Sequence, residues 1–229
     1  TELEVDSFLG ALARRLGHQG RIRMRGYNQE MFYGHILCGK TAAIPSFLAA
    51  PLGGMGTTPA IAQGAGYNKI VENQPIIIDF GVGINGYVTD MTRTFVIGKL
   101  SPELQEAHDF ALEVKNFMEE WVKPGLRCSS LYKEVMTLTQ ERGYQDYFMG
   151  YKGGQVAFVG HGIGLEIDEY PLIAPSFHRE FQENMTFAFE PKLVFPGVGA
   201  VGIEDDYVIT RTGVERLTTY SDQLLSINY

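Results

Sequence analysis

Two aspartates set the chemical question. Asp79 closes the apolar run Ile76-Ile77-Ile78, and Asp90 lies in the middle of a second extended run, Tyr87 to Ile97. A glycine-rich stretch, Gly81 to Gly86, joins them. β-Branched and aromatic residues dominate both arms, which is the composition of a hairpin. A bend at residues 81–86 sets the two carboxylates side by side on neighbouring strands. Adjacent carboxylates repel unless a proton or a cation lies between them. Nothing basic lies between them in sequence, and the nearest charge is Arg93. A metal site answers that repulsion; two solvent-facing aspartates at a strand end or turn answer it equally well.

Three further residues share the pattern of a polar group set in an apolar run. Glu190 follows Phe187-Ala188-Phe189, Glu204 follows Val201-Gly202-Ile203, and His161 lies between Gly160 and Gly162. A carboxylate closing an apolar strand is expensive to bury unless it is paired or metal-bound. The plainer alternatives are an exposed strand-end glutamate at 190 and, at 204, an ordinary acidic turn continued by Asp205 and Asp206. Taken together, two Asp, one His and two Glu form an oxygen-rich set with one imidazole. Such a set suits two divalent ions such as Mn, Co, Fe or Zn. Ions roughly 3.5–4 Å apart can share one hydroxide and polarise a carbonyl.

Other chemistries are excluded by what is absent. Gly81 to Gly86 spells G-x-G-x-x-G, but a dinucleotide site needs a helix to start there. Tyr87-Val88-Thr89 and Thr92 to Val96 are poor helix formers, so the glycines read as hairpin residues with positive φ. There is no H-E-x-x-H and no G-x-S-x-G, against a single-zinc helix protease and a serine hydrolase. The net charge of −8 argues against nucleic acid and acidic membranes as partners. No apolar stretch is long enough to span a bilayer, and no signal peptide is visible. Cys38 and Cys128, far apart in the chain, suit a reduced cytoplasmic protein, with a single disulfide left open.

The 229 residues, 45% hydrophobic, suffice for a packed core, read as a single domain over residues 1–229. Leu3, Val5, Phe8, Leu9, Leu12 and Leu16 make the stripe of a packing helix closed by Gly17. Arg21 to Arg25 and Phe32 to Leu37 read as short strands, with His35 structural. Phe47 to Asn68 is a long glycine-rich loop, a functional rim or a subunit contact. Ser101-Pro102-Glu103 starts a helix running to Val122 and stopped by Pro124-Gly125. Ser129 or Ser130 caps another that ends at Arg142-Gly143. From Val156 strand signals return, with Ile163 to Tyr170 read as extended. Helices layered on sheets give an α/β or α+β fold.

The order DFG, eight residues, DMTRTF, then GHGIGLE, FEP and GIED resembles the pita-bread metallopeptidases, the superfamily of methionine aminopeptidase, Xaa-Pro aminopeptidase and prolidase. TDMTRTFVIG and GHGIGLEIDEYP look most like the prolidase and aminopeptidase P branch. The resemblance covers residues from about 30 to 215. It implies a pseudo-symmetric fold, a mixed and largely antiparallel sheet covered by helices, with the aspartates in one half and the histidine and glutamates in the other. It implies Asp79, Asp90, His161, Glu190 and Glu204 as ligands of two divalent ions, manganese among them. Asp90 and Glu204 would bridge, and His161 and Glu190 would complete one metal. Glu190 would be the proton shuttle, and a metal-bridging hydroxide would hydrolyse Xaa-Pro bonds of short peptides in a homodimer. Two positions depart from the family. Ser46 in CGKTAAIPS stands where SGxNxxxPH has its histidine, and Asp168 in EIDEYP stands at the second histidine of E-x-H-E-x-P. In active relatives those histidines contact substrate, so Ser46 and Asp168 are the expected substrate-binding residues. Their presence keeps open a second reading, a catalytically weak or inactive peptide-binding module. A creatinase-like, metal-free hydrolase fits poorly with a complete ligand set. Relatives in this branch also carry a separate N-terminal domain that these residues do not include, so the resemblance implies a catalytic domain alone.

Overall fold

The computed structural model describes residues 1–151 and 153–227. Two sheets carry the site. The first has four strands in the order β13-β5-β4-β3: β3 (Gly34–Cys38), β4 (Ile76–Ile84), β5 (Tyr87–Ile97) and β13 (Leu225–Ile227). All its pairs are antiparallel except β13 on β5. The second has five, in the order β12-β11-β8-β6-β7: β6 (Gly160–Gly162), β7 (Glu169–Ile173), β8 (Thr186–Phe189), β11 (Asp205–Ile209) and β12 (Val214–Arg216), all antiparallel. Between β8 and β11 in sequence lies the hairpin β9 (Lys192–Phe195) with β10 (Gly199–Gly202). A small ribbon, β1 (Ile22–Arg23) with β2 (Glu30–Met31), forms a separate pair whose Ile22 packs on the first sheet.

The central hairpin forms where expected, but its turn is tighter. Asn85 (φ 54°) and Gly86 (φ 87°) make a two-residue connection with both residues left-handed, the geometry that Asn-Gly favours. Gly81 and Gly83 are strand residues paired with Asp90 and Val88. The expectation of positive φ along the whole glycine run is thus corrected. A Cβ on Gly81 would stand 2.8 Å from Ile22, so that glycine admits a packed neighbour.

Among the described residues, three α-helices complete the fold. α1 (Glu2–Arg15) begins with a capping box of Thr1 and Glu4. Its buried line is Glu2, Gly10 and Ala13, whereas Phe8 (67% exposed), Leu12 and Leu16 (70%) face outward. The apolar stripe therefore does not pack as expected; the absent side chain of Gly10 lets Tyr33 press against the helix instead. The Glu2 carboxylate accepts from Cys38 N (2.8 Å), Asn68 Nδ2 (2.9 Å), Gly66 N (3.2 Å) and the Thr41 hydroxyl, pinning the long loop to the helix start. α2 (Pro102–Trp121) begins at Ser101, whose hydroxyl accepts from Leu104 N, as the sequence predicts. α3 (Cys128–Glu141) has Arg127 at its N-cap, with no side-chain cap bond; Ser129 and Ser130 lie inside its first turn.

The main core packs α2 and α3 on the second sheet through Phe110, Val114, Met118, Leu131, Val135, Phe187, Phe189 and Tyr207. A smaller core of Leu37, Leu52, Ile77, Val194 and Ala200 joins the first sheet to the β9–β10 hairpin. Among the described residues, no helix is long and apolar enough to cross a membrane.

Candidate metal centre

The site assembles where the two sheets meet. On the first sheet, Asp79 of β4 lies opposite Thr92 and Asp90 of β5 lies opposite Gly81. The two aspartates therefore sit diagonally, two positions out of register, on one face of the pleat. His161 is the middle residue of β6, between β7 and β8. Glu190 follows β8, where Pro191, with no N–H to give, ends the ladder. Glu204 precedes β11 and ties the sheets together: its N–H donates to the Thr92 carbonyl (3.1 Å) and its carbonyl accepts from Thr92 N (3.3 Å).

Arg93 fixes this junction from behind. It is buried, and its Nη1 donates to the carbonyls of Thr92 (2.8 Å) and Glu204 (2.7 Å). Its Nη2 donates to Asp205 Oδ1 (2.7 Å) and the Tyr220 carbonyl (3.0 Å), and its Nε to the Ser221 carbonyl (2.7 Å). Asp205 and Asp206 are buried, so the sequence 204–206 is not an exposed acidic turn. Asp206 Oδ2 accepts from Asp90 N (3.0 Å).

At the centre stands a residue that the sequence reading missed. Lys192, 1% exposed, places its Nζ 3.1 Å from Asp79 Oδ2, 2.6 Å from Glu190 Oε2 and 2.7 Å from Glu204 Oε2. The statement that nothing basic lies between the aspartates holds along the chain and fails in space. A signal was present: Glu190 and Lys192 are two apart in extended chain, so they point to one side, and a lysine opening the apolar run KLVF is as costly to bury as the carboxylates.

The other oxygens of the two glutamates face His161. Its Nε2 lies 3.6 Å from Glu190 Oε1 and 3.9 Å from Glu204 Oε1. With its proton on Nδ1, the ring donates to the Gly162 carbonyl (3.2 Å), which directs the Nε2 lone pair at the carboxylates. Glu204 Oε1 is buried without a hydrogen-bond partner. Donor atoms of Asp90, His161 and Glu204 all lie within 4.8 Å of one another. Ligands about 2.0–2.2 Å from a divalent ion stand roughly 3–4 Å apart, so a lone pair, an unpartnered oxygen and a second carboxylate at this spacing fit such an ion.

The electrostatics point the same way. Burial pushes Asp90 well above the ordinary carboxylate range, and the charges of Glu204 and Asp79 add to the rise. Burial also lifts Glu204 well above its ordinary value, against the pull of Lys192. For Asp79 burial acts upward too, but Lys192 and His35 outweigh it and the net shift is downward. Lys192 is pulled down by burial, yet the surrounding carboxylates hold it well above the usual lysine value. Lys192 thus satisfies one side of the cluster and leaves Asp90 and Glu204 Oε1 calling for positive charge.

His35 lies directly opposite Asp79 on β3, buried, with Nδ1 unpartnered. Burial lowers its pKa and Asp79 offsets part of that, so it borders the cluster as a neutral imidazole near neutral pH. The two family departures both accept backbone hydrogen bonds. Ser46 Oγ accepts from Leu48 N (3.0 Å), and Asp168 Oδ1 accepts from Arg25 N (2.6 Å). Residues 164–168 are a series of bends and not the extended run expected, which is how Asp168 reaches β1's flank.

The sequence profile of metallopeptidase family M24 matches residues 1–211. The chain belongs to that family. It is 34% identical over 171 residues to the Xaa-Pro dipeptidase of Pyrococcus furiosus, covering 74% of this chain and 47% of that protein. Its fold is similar to the X-Pro aminopeptidase of Thermotoga maritima, with a TM-score of 0.79 at 27% identity, covering 99% of this chain and 55% of that one. It is likewise similar to the prolidase of Pyrococcus furiosus, with a TM-score of 0.77 at 29% identity, covering 96% and 56%. The expected pita-bread fold is borne out by these likenesses, with the aspartates on one sheet and the histidine and glutamates on or beside the other. The M24 chain spans about half the length of the curated relatives it matches.

Proposed function

We propose that this M24 chain is the catalytic portion of a metal-dependent exopeptidase that hydrolyses Xaa-Pro bonds in short peptides. The observation that carries the reading is the convergence of Asp90, His161 and Glu204 on one point, with Glu204 Oε1 buried and unpartnered. When bound, a divalent ion there supplies Lewis-acid polarisation of a carbonyl and activation of water at neutral pH. The chain's own residues do the rest. His161 and Glu204 present fixed donors, because Gly162 orients the ring and Thr92 and Arg93 hold the glutamate backbone. Glu190 has one oxygen pinned by Lys192, leaving Oε1 to take up and return a proton beside the reacting carbonyl. Asp168, half-buried, accepts from Arg25 N through Oδ1 and would use its remaining carboxylate oxygen to pair with a peptide's α-ammonium. Buried free thiols at Cys38 and Cys128 suit a reducing compartment such as the cytoplasm, and a homodimer is the assembly the family resemblance suggests.

The test is release of proline from Xaa-Pro di- and tripeptides by chelator-stripped protein reloaded with Mn or Co. Metal-dependent turnover that Asp90→Asn abolishes supports the reading. A second reading, a peptide-binding module without turnover, draws on Ser46 and Asp168, which replace histidine donors and hydrogen-bond to nearby backbone. Peptide binding by metal-loaded protein with no proline release would favour it.

A further inference from the structure

Four carboxylates and one imidazole read from the sequence as a site for two divalent ions. The geometry divides that set into two positions of different kind. On one side, His161 Nε2 faces Glu190 Oε1 and Glu204 Oε1, with Asp90 alongside. On the other, Asp79 Oδ2, Glu190 Oε2 and Glu204 Oε2 surround the Lys192 ammonium at 2.6–3.1 Å. Glu190 and Glu204 each give one oxygen to each position, as carboxylates shared between two neighbouring cations do. We propose that Lys192 is a tethered cation occupying the second position, so that this chain binds one divalent ion, held by Asp90, His161 and Glu204, where the ligand count calls for two.

The ammonium and a second ion exclude each other. The three oxygens that such an ion would need are already the hydrogen-bond acceptors of Nζ, and each is spent on charge-assisted contacts. Two cations sharing those ligands would repel at a few ångströms in a buried setting. Nor has the lysine an open way out, since it is 1% exposed. Its stem lies against Gly202: a Cβ there would stand 2.8 Å from Lys192 Cγ and Cα and 2.7 Å from the Pro191 carbonyl. The backbone of Gly202 is not left-handed, so room for the Pro191-Lys192 backbone and the lysine stem is what that glycine supplies.

The inference rests on the metallopeptidase reading for its one ion, and the experiment separates the two. Chelator-stripped protein is titrated with Mn by calorimetry, and bound Mn is counted by elemental analysis after gel filtration. The expected count is one per chain, with the hyperfine-split spin resonance of an isolated Mn(II). Asp79→Asn, whose partner is Lys192, should keep that count at one; Asp90→Asn should reduce it to none. Lys192→Ala should raise it to two and give the spectrum of a coupled pair. Two ions in the wild-type chain, one ion in folded Lys192→Ala, or none in Asp79→Asn would overturn the tethered-cation proposal and leave the metallopeptidase reading standing. No ion in the wild-type chain would overturn both. Should Lys192→Ala fail to fold by circular dichroism, the wild-type count and Asp79→Asn decide the matter.

Discussion

Replacing Arg93 tests whether the junction of the two sheets is held by a buried ion pair. In the wild-type chain Arg93 and Asp205 are 3% and 0% exposed, and their atoms meet at 2.7 Å. Arg93→Met fills similar volume but removes the charge and every donor. Asp205 keeps the Thr218 hydroxyl at 2.5 Å and has Arg216 only at 3.7 Å. Breaking a buried pair from one side typically costs about 3–5 kcal/mol, because the remaining charge is stranded. The four carbonyls that lose a donor make the upper end of that range the expected value. At roughly 2–4 °C per kcal/mol for a domain of this size, the melting temperature should fall by about 10–20 °C. Urea unfolding followed by the single tryptophan, Trp121, gives the free energy from the shift in midpoint at constant slope. The double variant Arg93→Met/Asp205→Leu should recover part of the loss, since it strands no charge. Manganese affinity should weaken by about 10–100-fold in the single variant, because Nη1 no longer holds the Glu204 carbonyl. A loss below about 1 kcal/mol, or a double variant less stable than either single one, would refute the reasoning.

Three other outcomes follow from the structure. Metal that binds only the folded chain should raise its melting temperature: at a hundredfold excess over Kd the gain is about 2.7 kcal/mol, or roughly 5–11 °C. A melt unmoved by Mn and by chelator contradicts this. His108, buried on α2 with Nδ1 unpartnered, has its pKa lowered by burial, an effect that Asp109 partly offsets. The unfolded chain then takes up a proton more readily, so the stability of the neutral form is complete above about pH 6.5 and is lost as pH falls through that value toward the folded pKa, at up to about 1.4 kcal/mol per pH unit. His108→Gln should flatten the stability profile in that window; an unchanged profile counts against it. Asp168→Ala should weaken binding of free Xaa-Pro peptides more than of N-acetylated ones, and equal effects would place recognition of the amino terminus elsewhere.

What the sequence made legible depended on how local each cause is. Ser101-Pro102 announces a helix start within one turn, and α2 begins there. The apolar arms around Asp79 and Asp90 announce a hairpin, and β4 and β5 form it. The turn is confined to Asn85-Gly86 because Gly81 is a strand residue whose bare face receives Ile22 from a distant segment, a contact that glycine spacing alone does not announce. Asp205 and Asp206 read as a solvent-facing turn because Arg93, which buries Asp205, is remote in sequence. Lys192 is legible only in part: Glu190 stands two residues before it, but Asp79 of β4 and Glu204 beside β11 lie farther away along the chain, and only the assembled sheets place them around its ammonium.

The pairing of β13 with β5 has a consequence during synthesis. Ser226 Oγ bonds the Gly98 carbonyl across 128 residues, and Leu225 to Ile227 supply the parallel neighbour of Phe95 to Ile97. At about 5–20 residues per second, roughly 6–26 s pass between the ribosome's completing β5 and delivering its partner. Through that interval the strand that carries Asp90 presents an unpaired backbone edge, and Arg93 lacks its acceptors at Tyr220 and Ser221. A nascent chain in this state exposes the kind of edge that pairs with other chains. Production of this protein should therefore be most prone to aggregation while translation is still under way, and should improve where elongation beyond β5 is fast or the edge is shielded by a chaperone.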